Sequence, residues 1–157
     1  MIRKPNHEGV LFWAGTGRIS LSDTASRALW SLSKLWRLLS TNEGKNLPIE
    51  HCIKGTWGHE IPDELKKTKS FEKSKKFEKN TFASVELGEY LKELDEKEGI
   101  GDIYFLGLVA DICVISNILS VKGFLPEKNI YIYKDLTEGL SDAKKATAID
   151  VLDSCQV

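Results

Sequence analysis

The chain has 157 residues, a formal net charge of −1, 29% charged residues and three cysteines, a length suited to one domain with a single core. Near-neutral charge argues against nucleic acid or a membrane surface as an obligatory partner, and an odd cysteine count without paired spacing fits a reducing compartment. No apolar run approaches membrane-spanning length, and residues 9–14 are too short for a secretory leader, so a cytoplasmic protein is expected.

In chain order, residues 9–14 read as a strand. Residues 22–39 read as one amphipathic helix, with Ala25, Leu29, Leu32, Trp36 and Leu39 on its apolar side. Pro62 opens a short helix over 62–67. The lysine-rich run 66–79, which also holds Phe71 and Phe77, suits a solvated surface at a strand edge. Ser84 caps a helix to about residue 97, with Leu87, Leu91 and Leu94 on one face, and the glycines at 99 and 101 end it.

Residues 103–106 form an apolar strand, followed by a helix over 114–121 that Gly123 stops. Residues 129–133 make another strand, and Ser141 caps a last helix to about residue 152. Strands alternating with helices at these lengths imply βαβ units, hence a three-layer α/β/α fold with a mainly parallel sheet covered on both faces. In such sheets ligands bind outside the carboxyl ends of the strands.

Cys113 sits at one of those ends, in the first turn of a helix. Unpaired N–H groups and the positive end of the helix dipole collect there, favouring a thiolate and a developing oxyanion. Local sequence is equally compatible with a small packed cysteine.

Composition changes along the chain. All four arginines and three of the four tryptophans precede Leu39; residues 1–38 carry six basic and two acidic side chains (+4), and 39–157 carry sixteen and twenty-one (−5).

The run Gly107 to Asn117, GLVADICVISN, resembles the nucleophile segment of the isochorismatase-like cysteine hydrolases, the superfamily of nicotinamidases and related amidases, whose usual form is Gly-Leu-x-Thr-Asp-x-Cys-Val. His51-Cys52-Ile53-Lys54-Gly55-Thr56-Trp57-Gly58 is similar to the His-Cys-x-x-Gly-Thr-x-Gly segment. Lys79-Asn80-Thr81-Phe82-Ala83-Ser84 resembles the lysine-bearing Lys-x-x-Phe-x-Ser segment. The three matches fall in the family's order between about residue 39 and the C-terminus. Within a single domain spanning 1–157, residues 1–38 are then an atypical N-terminal segment. It lacks the family's Asp-x-Gln-Asn-Asp-Phe first strand and its Asp-x-His stretch, reads as a frame-shifted or otherwise substituted N-terminus, and leaves the first strands of the sheet incomplete or replaced.

The resemblance implies amide hydrolysis. A cysteine attacks the carbonyl, a carboxylate moves the proton to the leaving ammonia, and water hydrolyses the thioester. Cys113 matches the nucleophile and Lys79 the lysine, with Lys76 as its fallback. The backbone N–H groups of Ala110 and Cys113 match the oxyanion hole, and a cis peptide is expected at Val109–Ala110. No acidic residue before Leu39 has a family-like context: Glu8 and Asp23 are the only two. Asp111 matches a position other than the catalytic carboxylate.

Metal-binding relatives draw their ligands from the missing stretch, and His51 and His59 have no third ligand at metal spacing, so no metal and no cofactor are expected. Trp57 and Phe82 suit either a ring-binding slot or the core. The expected partner is a small-molecule amide, not nucleic acid or membrane; homo-oligomers are common among relatives. The leading reading is an impaired amidase, and the alternative a catalytically inactive member serving as a structural or interaction subunit.

Overall fold

The structure, a computed structural model, describes residues 10–14, 27–33, 42–46, 56–57, 60–61 and 63–157. Five strands form one sheet: β1 (Val10–Ala14), β2 (Arg27–Ser33), β3 (Lys75–Lys79), β4 (Ile103–Leu108) and β5 (Ile130–Glu138), in the order β3-β2-β1-β4-β5. Every pairing among them is parallel. The order reverses between β1 and β4, which makes their carboxyl ends the natural crevice of the sheet. The helices are α1 (Asn42–Lys45), α2 (Asp63–Lys66), α3 (Lys69–Lys73), α4 (Val85–Glu98), α5 (Ile115–Phe124) and α6 (Asp142–Ser154), with a π-helical turn at Ala110–Val114 leading into α5.

The strand expected at 9–14 is β1. The helix expected over 22–39 is corrected: Arg27–Ser33 is a strand, hydrogen-bonded to β1 on one side and to β3 on the other. A short apolar run fits either period, and here two flanking ladders outweigh the helical spacing. The atypical segment thus supplies two inner strands of the sheet, and no second strand is missing from it. The lysine-rich run contains α3 and then β3, at an edge of the sheet as its charge suggests.

Helix α4 begins as expected, Ser84 Oγ accepting from the Leu87 N–H, and ends at Gly99, whose φ of 68° suits glycine. Leu87, Leu91 and Leu94 of α4 pack with Phe77, Ile103, Phe105, Val114, Ile118, Val121, Ile130 and Leu152 in the main core. Among the described side chains, that core includes residues of β3, β4 and β5 and of the three long helices. Helix α5 runs through Gly123 to Phe124, and the Phe124 ring lies where a Cβ on Gly88 would project, so α4 and α5 approach closely there.

Strand β5 is longer than its apolar stretch. Pairing passes from Phe105↔Ile132 to Gly107↔Thr137, so a bulge absorbs the polar residues between, and Thr137 returns to a fully buried position.

The α4–β4 junction is closed by Asp95, whose Oδ1 accepts from the Ile100 N–H at 2.9 Å and pairs with Lys128 Nζ at 2.6 Å. The Ile100 N–H and the Lys128 ammonium hold the Asp95 carboxyl below the usual carboxylate range. A folded-state value below the unfolded one adds stability above the unfolded pKa, and this is lost as pH falls through the folded value. Asp95→Asn is therefore expected to cost about 1 kcal/mol at pH 7 and much less near pH 2, measured by urea unfolding at both pH values.

Candidate active site

Lys79 ends β3 and Cys113 follows β4, with β2 and β1 between them. At about 4.8 Å per strand the two strands are roughly 14 Å apart. Contact therefore requires the lysine side chain and the π turn both to lean over the carboxyl ends of the intervening strands. They do: Lys79 Nζ lies 3.6 Å from Cys113 Sγ and donates to the Thr81 carbonyl at 2.9 Å. Lys79 is only 5% exposed, so its charge acts on the sulfur with little screening from water. Cys113 is a half-buried free thiol.

Lys76, the fallback, is engaged elsewhere. Its ammonium donates to the carbonyls of Phe71 and Ser74, at 2.6 and 2.9 Å, and lies over the Phe71 ring.

The turn that holds Cys113 is wound more loosely than an α-helix. The Val109 carbonyl accepts from the N–H groups of Ile112 and Val114, at 3.2 and 3.0 Å, and the second of these closes a π turn. Ala110 is fully buried within it. The non-proline cis peptide joins Leu108 and Val109, not Val109 and Ala110 as expected. The π turn takes the Val109 carbonyl as its first acceptor, so the break between strand and turn falls one residue earlier. Asp111 turns away to the β5–α6 loop, where its Oδ1 accepts from the Leu140 N–H at 2.9 Å. A Cβ on Gly139 would stand 3.0 Å from that oxygen, so glycine permits the approach.

Two residues that the sequence did not single out join the site to its surroundings. Asn117 is completely buried. Its Nδ2 donates to the Cys113 and Phe82 carbonyls at 2.7 and 3.0 Å, and its Oδ1 accepts from the Ser84 N–H at 2.9 Å. Glu43, on α1, accepts from the Phe82 N–H at 2.8 Å. Asn117 lies within the nucleophile segment, and a buried asparagine there is a signal that partners must exist. Nothing in the sequence pointed to Glu43.

Strand β1 ends at Ala14, paired with Gly107 of β4, and no acidic residue lies between Glu8 and Asp23. Glu8 and Asp23 themselves are outside the described residues, as are His51, Cys52 and His59. Trp57 is 93% exposed. Among the described residues no group of three or more His, Cys, Asp or Glu is arranged to hold a metal ion, and no helix is long and apolar enough to cross a membrane.

Fold and site together define a parallel α/β protein that holds a thiol and an ammonium group side by side at the carboxyl end of its sheet. The chain belongs to the isochorismatase domain family, whose sequence profile matches residues 36–157. No curated protein sequence matches the chain.

Similar solved structures include the pyrazinamidase of Pyrococcus horikoshii in complex with zinc (TM-score 0.70, 14% identity, covering 95% of this chain and 96% of that one). PnC1 of L. infantum in complex with nicotinate is also similar (0.72, 14%, 99% and 93%), as is N-carbamoylsarcosine amidase of Thermoplasma acidophilum (0.63, 16%, 93% and 93%). At these identities the likeness is one of fold. Strands β1 and β2 lie before the profile match yet within a structural likeness that covers 99% of the chain.

Proposed function

We propose that this chain is a cysteine hydrolase of the nicotinamidase-related kind, cleaving the C–N bond of a small amide through a thioester on Cys113. The observation that carries the reading is the 3.6 Å approach of a buried ammonium to the only cysteine at a strand end of the described sheet. The Lys79 ammonium stands beside the sulfur, and the Ala110 and Cys113 N–H groups receive the oxyanion as the sulfur adds to the carbonyl. Collapse of the tetrahedral adduct breaks the C–N bond, and the leaving nitrogen needs a proton. β1 ends on alanine, so among the described residues no carboxylate stands at that strand end to supply the proton, and slow turnover is the expected result. Water then hydrolyses the thioester and returns the thiol. Each step uses a soluble small molecule, in keeping with a cytoplasmic enzyme.

The same Ala14 supports a second reading, an inactive family member acting as a structural or interaction subunit. An activated ester separates the two, because it does not need a protonated leaving group. With p-nitrophenyl nicotinate the hydrolase reading expects stoichiometric acylation of Cys113, seen by mass spectrometry and absent in Cys113→Ala, together with slow ammonia release from nicotinamide. A chain in which Cys113 takes no acyl group is the inactive subunit.

A further inference from the structure

We infer that Asn117 and Glu43 are positioning residues that hold the Lys79–Cys113 pair in register. The inference rests on the hydrolase reading and extends it to groups that do not touch the sulfur. Lys79 Nζ is tied to the Thr81 carbonyl, so the ammonium follows the loop that leaves β3. One residue on, both backbone polar groups of Phe82 are taken by distant side chains, its N–H by Glu43 and its carbonyl by Asn117.

Asn117 also holds the Cys113 carbonyl and the Ser84 N–H. One buried amide therefore binds the lysine loop to the nucleophile turn, with both of its N–H donors and its oxygen in use. A carboxamide alone offers two donors and an acceptor in one plane; a hydroxyl or a carboxylate cannot make all three bonds. Glu43 secures the loop from its other side. If the loop drifts, the ammonium moves off the sulfur and its effect weakens with distance.

Among the described residues, Lys79 stands against the sulfur and Asp111 accepts from the Leu140 N–H. Glu43 separates two roles. Were its carboxylate acting on the sulfur only through its charge, Glu43→Ala and Glu43→Gln would change alkylation alike; as a positioning group, its loss in Glu43→Ala slows alkylation and Glu43→Gln restores it.

The experiment follows iodoacetamide alkylation of Cys113 against pH, quantified by peptide mass spectrometry, in the wild type, Lys79→Met, Asn117→Leu, Glu43→Ala and Glu43→Gln, with circular dichroism to show that each folds. Asn117→Leu, which changes no charge, is expected to slow alkylation about tenfold at pH 7. Glu43→Ala should slow it as well, and Glu43→Gln, which keeps an acceptor oxygen, should restore the rate. A folded Asn117→Leu with the wild-type profile overturns the inference, and so does a folded Glu43→Ala that is alkylated as fast as the wild type or faster. If Asn117→Leu does not fold, the Glu43 pair decides alone. Failure of the hydrolase reading looks different: wild type and Lys79→Met then share one profile.

Discussion

Ala14→Asp is expected to raise ammonia release from nicotinamide by about 10²- to 10⁴-fold, the range a positioned acid or base contributes. Ala14 is the last residue of β1 and pairs with Gly107, six residues before Cys113, so the substitution puts a carboxylate at the carboxyl end of the sheet, beside the strand that leads to the cysteine. Successive side chains of a strand point to opposite faces, so Trp13→Asp is the matched control and should gain nothing. The gain must vanish in the Ala14→Asp, Cys113→Ala double variant. An assay of ammonia under single-turnover and steady-state conditions separates faster acylation from faster thioester hydrolysis. No gain in a folded Ala14→Asp protein would show that the missing carboxylate is not what limits this chain.

Lys79→Met is expected to slow alkylation of Cys113 at pH 7 at least tenfold and to remove acylation by activated esters. The Lys79 ammonium stands 3.6 Å from the sulfur and is 5% exposed, so its charge acts there with little screening from water, whereas a helix terminus contributes about 0.3–1 kcal/mol. Methionine keeps the length and apolar stem of lysine, so the loss is of charge rather than packing. Rates of alkylation by iodoacetamide measure it directly, and a loss under twofold would show that the ammonium is not what makes the sulfur reactive.

Much of the site was legible because its chemistry is local. Cys113 and its strand, and the Ser84-capped helix, are each marked by residues within one turn or strand of themselves, where spacing carries the information. Lys79 was legible through its register with Phe82 and Ser84. Asn117 and Glu43 were not, since the partners that tie them to residues 82–84 lie 33 to 39 positions away along the chain, and no local pattern records a hydrogen bond to a distant backbone. The cis peptide, expected at Val109–Ala110 from the family resemblance, joins Leu108 and Val109 instead, a position no local pattern in the sequence marks.

By itself, the sequence determined the alternation of strands and helices, the apolar faces that build the core, and the placing of Cys113 where a strand gives way to a helix. These follow from side-chain periodicity and capping, which act over a few residues. Only the tertiary structure decided that residues 27–33 are a strand between β1 and β3, that Lys79 rather than Lys76 reaches the sulfur, and that a buried asparagine joins the two site segments. Each of those depends on pairing or hydrogen bonding between segments far apart in the chain, whose free energy exists only once the sheet has formed.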